Sequence, residues 1–338
     1  MSLTLRILDP RHDPEPAGWE HLRTTAGQCV TWRYDLLRAY AWAAQAPLLL
    51  TVLSEDGVPV GAVAASLRGV RPRRGRYAGR RDAAGLLDVH APANRSQKGW
   101  WFTGDPAPRR RRELLGGYLR GVRRELGPGW RSVVWREVSP GEPEQLPGRV
   151  KVRLPTAPLA KLATPWSGID DWYALLDRAR RDSLRRRARS FATDPDLTIG
   201  VGPARDLVTA AEADDLRARN DLKHRSRLLP HAPLPLPYLE ALVGGEEVVA
   251  IAYRDGDGDL LGLSLILDHP AWPVCLSWGA RLPEEGGRKH LYFDGYVRMV
   301  EWAIATGKTG LVLGKGQAEA KSDLGAALVP SAALAVPL

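Results

Sequence analysis

The stretch GKGQAEAK, residues 314–321, gathers groups that could do chemistry in one short segment. It follows the apolar run GLVL, so it leaves the end of a strand, where a side chain can face a cleft. Lys321 is the candidate for a fixed cation. An ammonium held there would stabilise a developing oxyanion by roughly 3–4 kcal/mol, by analogy with a single oxyanion-hole donor. Glu319 could accept the proton of an incoming ammonium group, or make a local ion pair. Gly314 and Gly316 flank Lys315 and could let backbone N–H groups approach an anion, or simply turn the chain. Trp278, His290 and Tyr292 form a second group, in which Tyr292 could donate a proton or orient an acceptor. Asn220 and Lys223, in ARNDLKHRSRLL, could bind an acceptor carboxylate or phosphate, although cations at a helix end also suit its macrodipole.

A third feature is RARRDSLRRRARSFA, residues 178–192, where seven of the twelve residues from Arg178 to Arg189 are arginine. On a helical wheel Arg178, Arg181, Arg185 and Arg189 fall within about 80° of one another. Leu184, Ala188 and Phe191 form a narrow apolar stripe beside them. Such a helix docks by the stripe and presents a basic ridge, with Arg186 next to it. Arginines one turn apart rise ~5.4 Å, a scale close to phosphate spacing, and guanidinium binds phosphate bidentately. A solvated helix face or an acidic membrane surface are the competing readings.

Composition narrows the classes. The net charge is +9, with 40 Arg against 8 Lys, which favours anionic partners. GC-rich codon usage also raises arginine in a chain rich in Ala, Gly and Pro. Cys29 and Cys275 are the two cysteines; they suggest neither a disulfide framework nor a metal cluster. No HxxxH or HExxH spacing occurs, and no histidine pairs with a nucleophile. The N-terminus MSLTLRILDPRHD lacks a signal-peptide core, and no run approaches the ~18 apolar residues of a membrane span. These features predict a cytoplasmic protein without metal or stable membrane insertion.

The elements that must position these residues are legible as a repeat. LLLTVLSEDGVPVGAVAA (48–65) and VVAIAYRDGDGDLLGLSL (248–265) share one plan, two apolar runs around an acidic-Gly turn, and each predicts a β-hairpin. GYLRGV (117–122) and GYVRMV (295–300) lie in helical patterns that close at Gly127 and Gly307. Each helix leads into a short strand, SVVW (132–135) or GLVLG (310–314). Helices are also predicted at 31–45, 170–191 and 209–228, the last opening with the capping box TAAE. RVKVRL, APLAKLA and LTIGVG read as strands, 139–148 as a linker, and 68–81 as a basic loop. The order predicts an α/β protein of two similar halves with mixed sheets, divided as 1–150 and 151–338.

The run KHLYFDGYVRMVEWAIATGKTGLVLGKGQAEAKSDLGAALVP, together with DWYALLDRARRDSLRRRARSF, resembles the FemABX-like branch of the GNAT superfamily, which includes sequences labelled BioF2-like. The likeness covers about 165–330 well and 30–138 loosely. It implies two tandem GNAT-like modules. It also implies transfer of an amino acid from aminoacyl-tRNA to an amine, forming an amide, with the catalytic cleft in the second module. Acceptors in the branch are peptidoglycan precursors or small molecules, as in antibiotic biosynthesis. The absence of an inserted coiled-coil arm favours a small-molecule amine here, and a monomer is expected. Lys321 with Gly325 matches the branch's late lysine and glycine, but Ala320 stands where an aromatic is usual. Under this reading Lys321, Tyr292 and Glu319 are catalytic. Arg178, Arg181, Arg185, Arg186, Arg189 and Lys315 contact tRNA, and Trp278, Asn220 and Lys223 bind substrate. No cofactor is implied, aminoacyl-tRNA being a co-substrate. The acyl-CoA alternative lacks its pyrophosphate loop: LPEEGGRKHLYF places Glu284 and Glu285 where a diphosphate would lie.

Overall fold

The computed structural model describes residues 2–43, 47–69, 85–94, 96–223 and 234–338, the side chains of 221–223 excepted. Most of the basic loop 68–81, the Lys223 side chain, and His224, Arg225 and Arg227 lie outside the described residues. The chain forms two compact units, 1–158 with 330–338, and 159–329.

The first unit runs β1 (Leu3–Leu8), α1 (Trp19–Thr25), α2 (Tyr34–Ala43), β2 (Leu48–Glu55), β3 (Val58–Arg68), β4 (Gly85–Val89), β5 (Trp100–Phe102), α3 (Pro108–Leu126) and β6 (Trp130–Val138). Its strand order is β1-β2-β3-β4-β6, with β5 on β3. All neighbours are antiparallel except β4 and β6. The predicted hairpin is β2–β3. Asp56 and Gly57 both take positive φ (47° and 85°), the conformation a two-residue turn requires.

The second unit runs β7 (Val152–Ala163), α4 (Ile169–Leu175), α5 (Arg178–Ala192), β8 (Leu197–Pro203), α6 (Ala204–Leu207), α7 (Ala210–Lys223), α8 (Leu236–Val243), β9 (Val248–Asp255), β10 (Leu260–Leu267), β11 (Val274–Ala280), α9 (Leu291–Ala305), β12 (Gly310–Gly314) and α10 (Ala318–Ser322). Its order is β7-β12-β11-β10-β9-β8. Again one neighbour pair is parallel, β11 with β12. Hairpin, third strand, helix and parallel fourth strand therefore recur in both units, as the repeat predicts. The shared GY dipeptide has a packing role: Tyr118 and Tyr296 are both buried. A Cβ on Gly117 would lie 2.1 Å from Leu3 Cδ2, and one on Gly295 would lie 3.2 Å from the Trp278 ring. The missing side chain lets each helix lie close to its sheet.

Three expectations are revised. Helix 31–45 begins at Tyr34, because Val30–Trp32 form a buried 3-10 turn and Arg33 is extended. The single helix expected over 170–191 is two, because Asp177 leaves helical geometry to cap α5, its carboxylate accepting from Arg180 N at 2.9 Å. The division at 150 with a second half reaching 338 also changes. The last strand, β13 (Ala327–Pro337), pairs antiparallel with β6 from Ala332↔Val138 to Pro337↔Ser132, so residues 330–338 complete the first unit. The TAAE box forms as expected, with Thr209 N to Glu212 Oε2 at 2.8 Å and Glu212 N to Thr209 Oγ1 at 3.3 Å.

Candidate active site

The parallel strand pair differs between the units. In the first, β4 and β6 pair over five rungs from Gly85↔Trp130 to Val89↔Trp135, with a single shift after Gly85, so the strands stay together. In the second, β11 and β12 share one rung, Val274↔Val312, and then part. Each strand carries a bulge just past that rung. Leu276 is the extra residue of β11 against β10, and Leu313 is the extra residue of β12 against β7. A bulge bends its strand and breaks the ladder; two in succession open a crevice at the carboxyl ends of the strands, the usual ligand position in open α/β sheets. From Cys275 to Trp278 the side chains of β11 are only half-buried.

Lys321 stands at this opening. The bulge leaves the buried Leu313 carbonyl without a ladder partner, and a buried carbonyl needs a donor. Lys321 Nζ supplies it at 2.6 Å. The lysine is 5% exposed, and burial holds its pKa below the ordinary lysine value. An ammonium carries three donors, and Nζ has this one hydrogen-bond partner among the described residues. Two donors therefore remain for a ligand. Its backbone is fixed by Gln317, by Leu324 and Ala326, and from α4 by Trp172, whose Nε1 donates to Leu324 O at 3.0 Å.

α9 and β11 supply the remaining wall. Trp278 packs edge-on to Tyr292 at 5.7 Å. The Tyr292 and Tyr296 hydroxyls lie 3.3 Å apart, and burial raises both phenol pKa values. Cys275, the residue after the last rung, has its thiol pushed up to about 11 by burial, against the opposing pull of Lys321. Lys321, Cys275, Tyr292, Tyr296 and Trp278 are thus linked side by side where β11 and β12 part. Glu319 is exposed; on a helix, residues two apart point to different sides, so it does not meet Lys321. Lys315 is half-buried after Gly314, and Asn220 is half-buried in the last turn of α7. α7 lies tightly on β11, since a Cβ on Gly279 would be 2.4 Å from Leu216 O. His290 takes positive φ at the N-terminus of α9 and is exposed.

One buried group escaped the sequence reading. Asp294 is 1% exposed. Its Oδ2 accepts from the Tyr253 hydroxyl at 2.8 Å and from Arg298 Nε at 3.3 Å, while its Oδ1 has no partner. Burial raises its pKa, partly offset by Arg298 and Tyr253. The folded pKa lies above the unfolded one, so stability from this group is present in acid and is lost as pH rises through the folded value. Asp294→Asn is expected to match or exceed the parent in Tm at pH 7, and to remove that acid-side component from a Tm-against-pH series. A large loss of Tm at pH 7 would contradict this account of Asp294.

The arginine helix has two basic flanks rather than one ridge. Leu184 is its buried anchor, with Ala188 and Phe191 packed beside it. On one flank Arg185 pairs with Asp170 at 2.5 Å and lies 4.9 Å from the Tyr173 ring centre. Arg178 and Arg181 lie within 4.0 Å of Asp182. Arg186 and Arg189 are exposed and have no carboxylate partner among the described residues; with Arg185, Asp170 and Tyr173 they line a groove of about 540 Å³. The other flank carries Arg180 and Arg187, which the wheel did not single out. Both pack on Phe293 of α9, and Arg180 pairs with Asp323 at 2.6 Å, two residues beyond Lys321. No group of three metal-binding side chains occurs among the described residues, and no described helix is long and apolar enough to cross a membrane.

No protein-family profile and no curated protein sequence matches the chain. Solved structures do. L-PGS from Bacillus licheniformis is similar at TM-score 0.60 and 11% identity, over 96% of this chain and 92% of that one. The C-terminal DUF2156 domain of a protein from Agrobacterium fabrum gives 0.60 and 12%, over 94% and 92%. FemX gives 0.58 and 10%, over 94% and 96%. At these identities the likeness establishes architecture: the chain shares its fold, two similar α/β units in tandem, with these structures.

Proposed function

We propose that the protein is an aminoacyltransferase that moves an amino acid from aminoacyl-tRNA to an amine and forms an amide, using the crevice between β11 and β12. The observation that carries this reading is the splayed parallel pair with Lys321 at its mouth, a buried cation with donors to spare. Attack of an amine on the ester carbonyl places negative charge on the carbonyl oxygen. Lys321 is the group to receive it, and holding both reactants in the crevice lowers the barrier further. Because the ammonium form is required, kcat falls as pH rises through the lowered Lys321 pKa. Tyr292, edge-on to Trp278, orients the neutral amine; its C–N bond to the carbonyl forms as the ester C–O bond breaks, and the proton the nitrogen loses passes to the departing tRNA oxygen, which leaves as the alcohol. The acceptor we favour is a small-molecule amine. The fold shared with L-PGS makes a lipid headgroup the comparison substrate, and with FemX a peptidoglycan precursor.

The arginine helix serves the donor. RNA bound through four to six backbone phosphates gives a plot of log K against log salt with a slope of about −4 to −5. Anisotropy titrations with uncharged tRNA over a salt series measure it. A flat slope removes the RNA donor and leaves a thioester donor as the reading to pursue.

A further inference from the structure

The flank of α5 that carries Arg180 and Arg187 is not explained by docking of the helix. Leu184 and Phe191 already anchor α5 to the core. Arg187 has no carboxylate partner among the described residues, yet its guanidinium carbon sits 5.5 Å from the centre of the half-buried Phe293 ring, with that of Arg180 at 5.8 Å. Lys289, two residues before α9 begins, is exposed and likewise unpaired among the described residues. Arg180 is tethered to Asp323, in the turn that leaves Lys321. Arg187 and Lys289 both lie near enough to His290, at the start of α9, for their charges to add to burial in lowering its pKa, and Arg180 and Arg187 stand on the opposite side of the helix's buried stripe from Arg185, Arg186 and Arg189.

Two flanks on one helix suit two parts of one ligand. A duplex stem is held by spaced contacts to its backbone, whereas an unpaired strand is held by cations combined with flat side-chain surfaces on which bases stack. The groove flank offers spaced arginines. The Phe293 corner offers guanidinium planes fixed by a ring, next to the place where the ester must react. We propose that Arg187 and Lys289, with Phe293 as platform, bind the unpaired 3′-terminal nucleotides of the donor RNA and deliver the ester to Lys321. The inference rests on the aminoacyl-tRNA reading above.

The test uses the full chain and two RNA probes, an acceptor-stem hairpin with a short single-stranded 3′ overhang and the same hairpin blunt-ended. Arg187→Ala and Lys289→Ala are each expected to weaken binding of the overhang probe about tenfold, the scale of one charge-assisted hydrogen bond, and to leave the blunt probe unchanged. Phe293→Leu keeps an apolar side chain but removes the ring, and should show the same selectivity. Arg186→Ala with Arg189→Ala should weaken both probes alike. Equal effects of Arg187→Ala and Lys289→Ala on the two probes, or none on either, would overturn the inference while leaving the RNA-donor reading intact. Failure of the unmodified protein to bind either probe would overturn both.

Discussion

Replacing Lys321 with methionine is expected to lower kcat by about 10²–10³, the loss seen when one oxyanion donor is removed, while Tm changes little. Two opposing terms set the second expectation. The Leu313 carbonyl loses its donor, which costs about 1–3 kcal/mol for a buried unpaired group. Against this, a lone buried cation, with no carboxylate partner among the described residues, is replaced by an apolar chain of similar length, which removes the cost of burying the charge. The two terms act in opposite directions. RNA affinity should stay within about twofold, because Lys321 is buried and does not belong to the arginine flanks. If instead turnover survived and Tm collapsed, Lys321 would be a clamp for the β12 bulge and nothing more. Stopped-time assays and thermal melts on the same preparation separate the outcomes.

Trp172→Ala should produce the largest loss of stability. The side chain is fully buried in the core of the second unit, stacked near Tyr173 at 5.1 Å and bonded to Leu324 O. Removing so large a buried ring costs about 3–5 kcal/mol. Trp172→Phe isolates the hydrogen bond: it should cost about 1 kcal/mol for the bond, plus a smaller packing term. Because Leu324 N in turn donates to Lys321 O, the Phe variant should reduce kcat more than it raises KM. A pure stability loss with kcat intact would show that Trp172 does not position Lys321.

Local sequence carries much of this architecture. The hairpins announce themselves through Asp56-Gly57 and Gly258, and the GY helices through matching periodicity, because each depends on residues close in the chain. Lys321 is legible for the same reason: it follows a short strand and a glycine loop. What depends on pairing across long separations is not legible. β13 is not among the predicted strands, and nothing in its residues names β6, nearly two hundred residues earlier, as its partner. The crevice depends on single extra residues, Leu276 and Leu313, that look like ordinary strand residues and become bulges only against β10 and β7. Asp294 sits in a helix pattern where an acidic residue in the first turn is unremarkable; its burial follows from Tyr253 on a distant strand. The wheel identified the flank of α5 with four aligned arginines but passed over Arg180 and Arg187, because their partner, Phe293, lies more than a hundred residues away. The departure at Ala320 has no structural counterpart that explains it.

The central claim is that the crevice between β11 and β12 receives its acyl group as an ester on RNA. The most direct measurement is transfer of a radiolabelled amino acid from a charged tRNA pool to candidate amines, with and without prior nuclease treatment, for the parent protein and Lys321→Met. The account predicts label in an alkali-stable amide, abolished by nuclease digestion before addition and reduced about 10²–10³-fold in the variant. Turnover that survives the nuclease and requires an acyl thioester would contradict it.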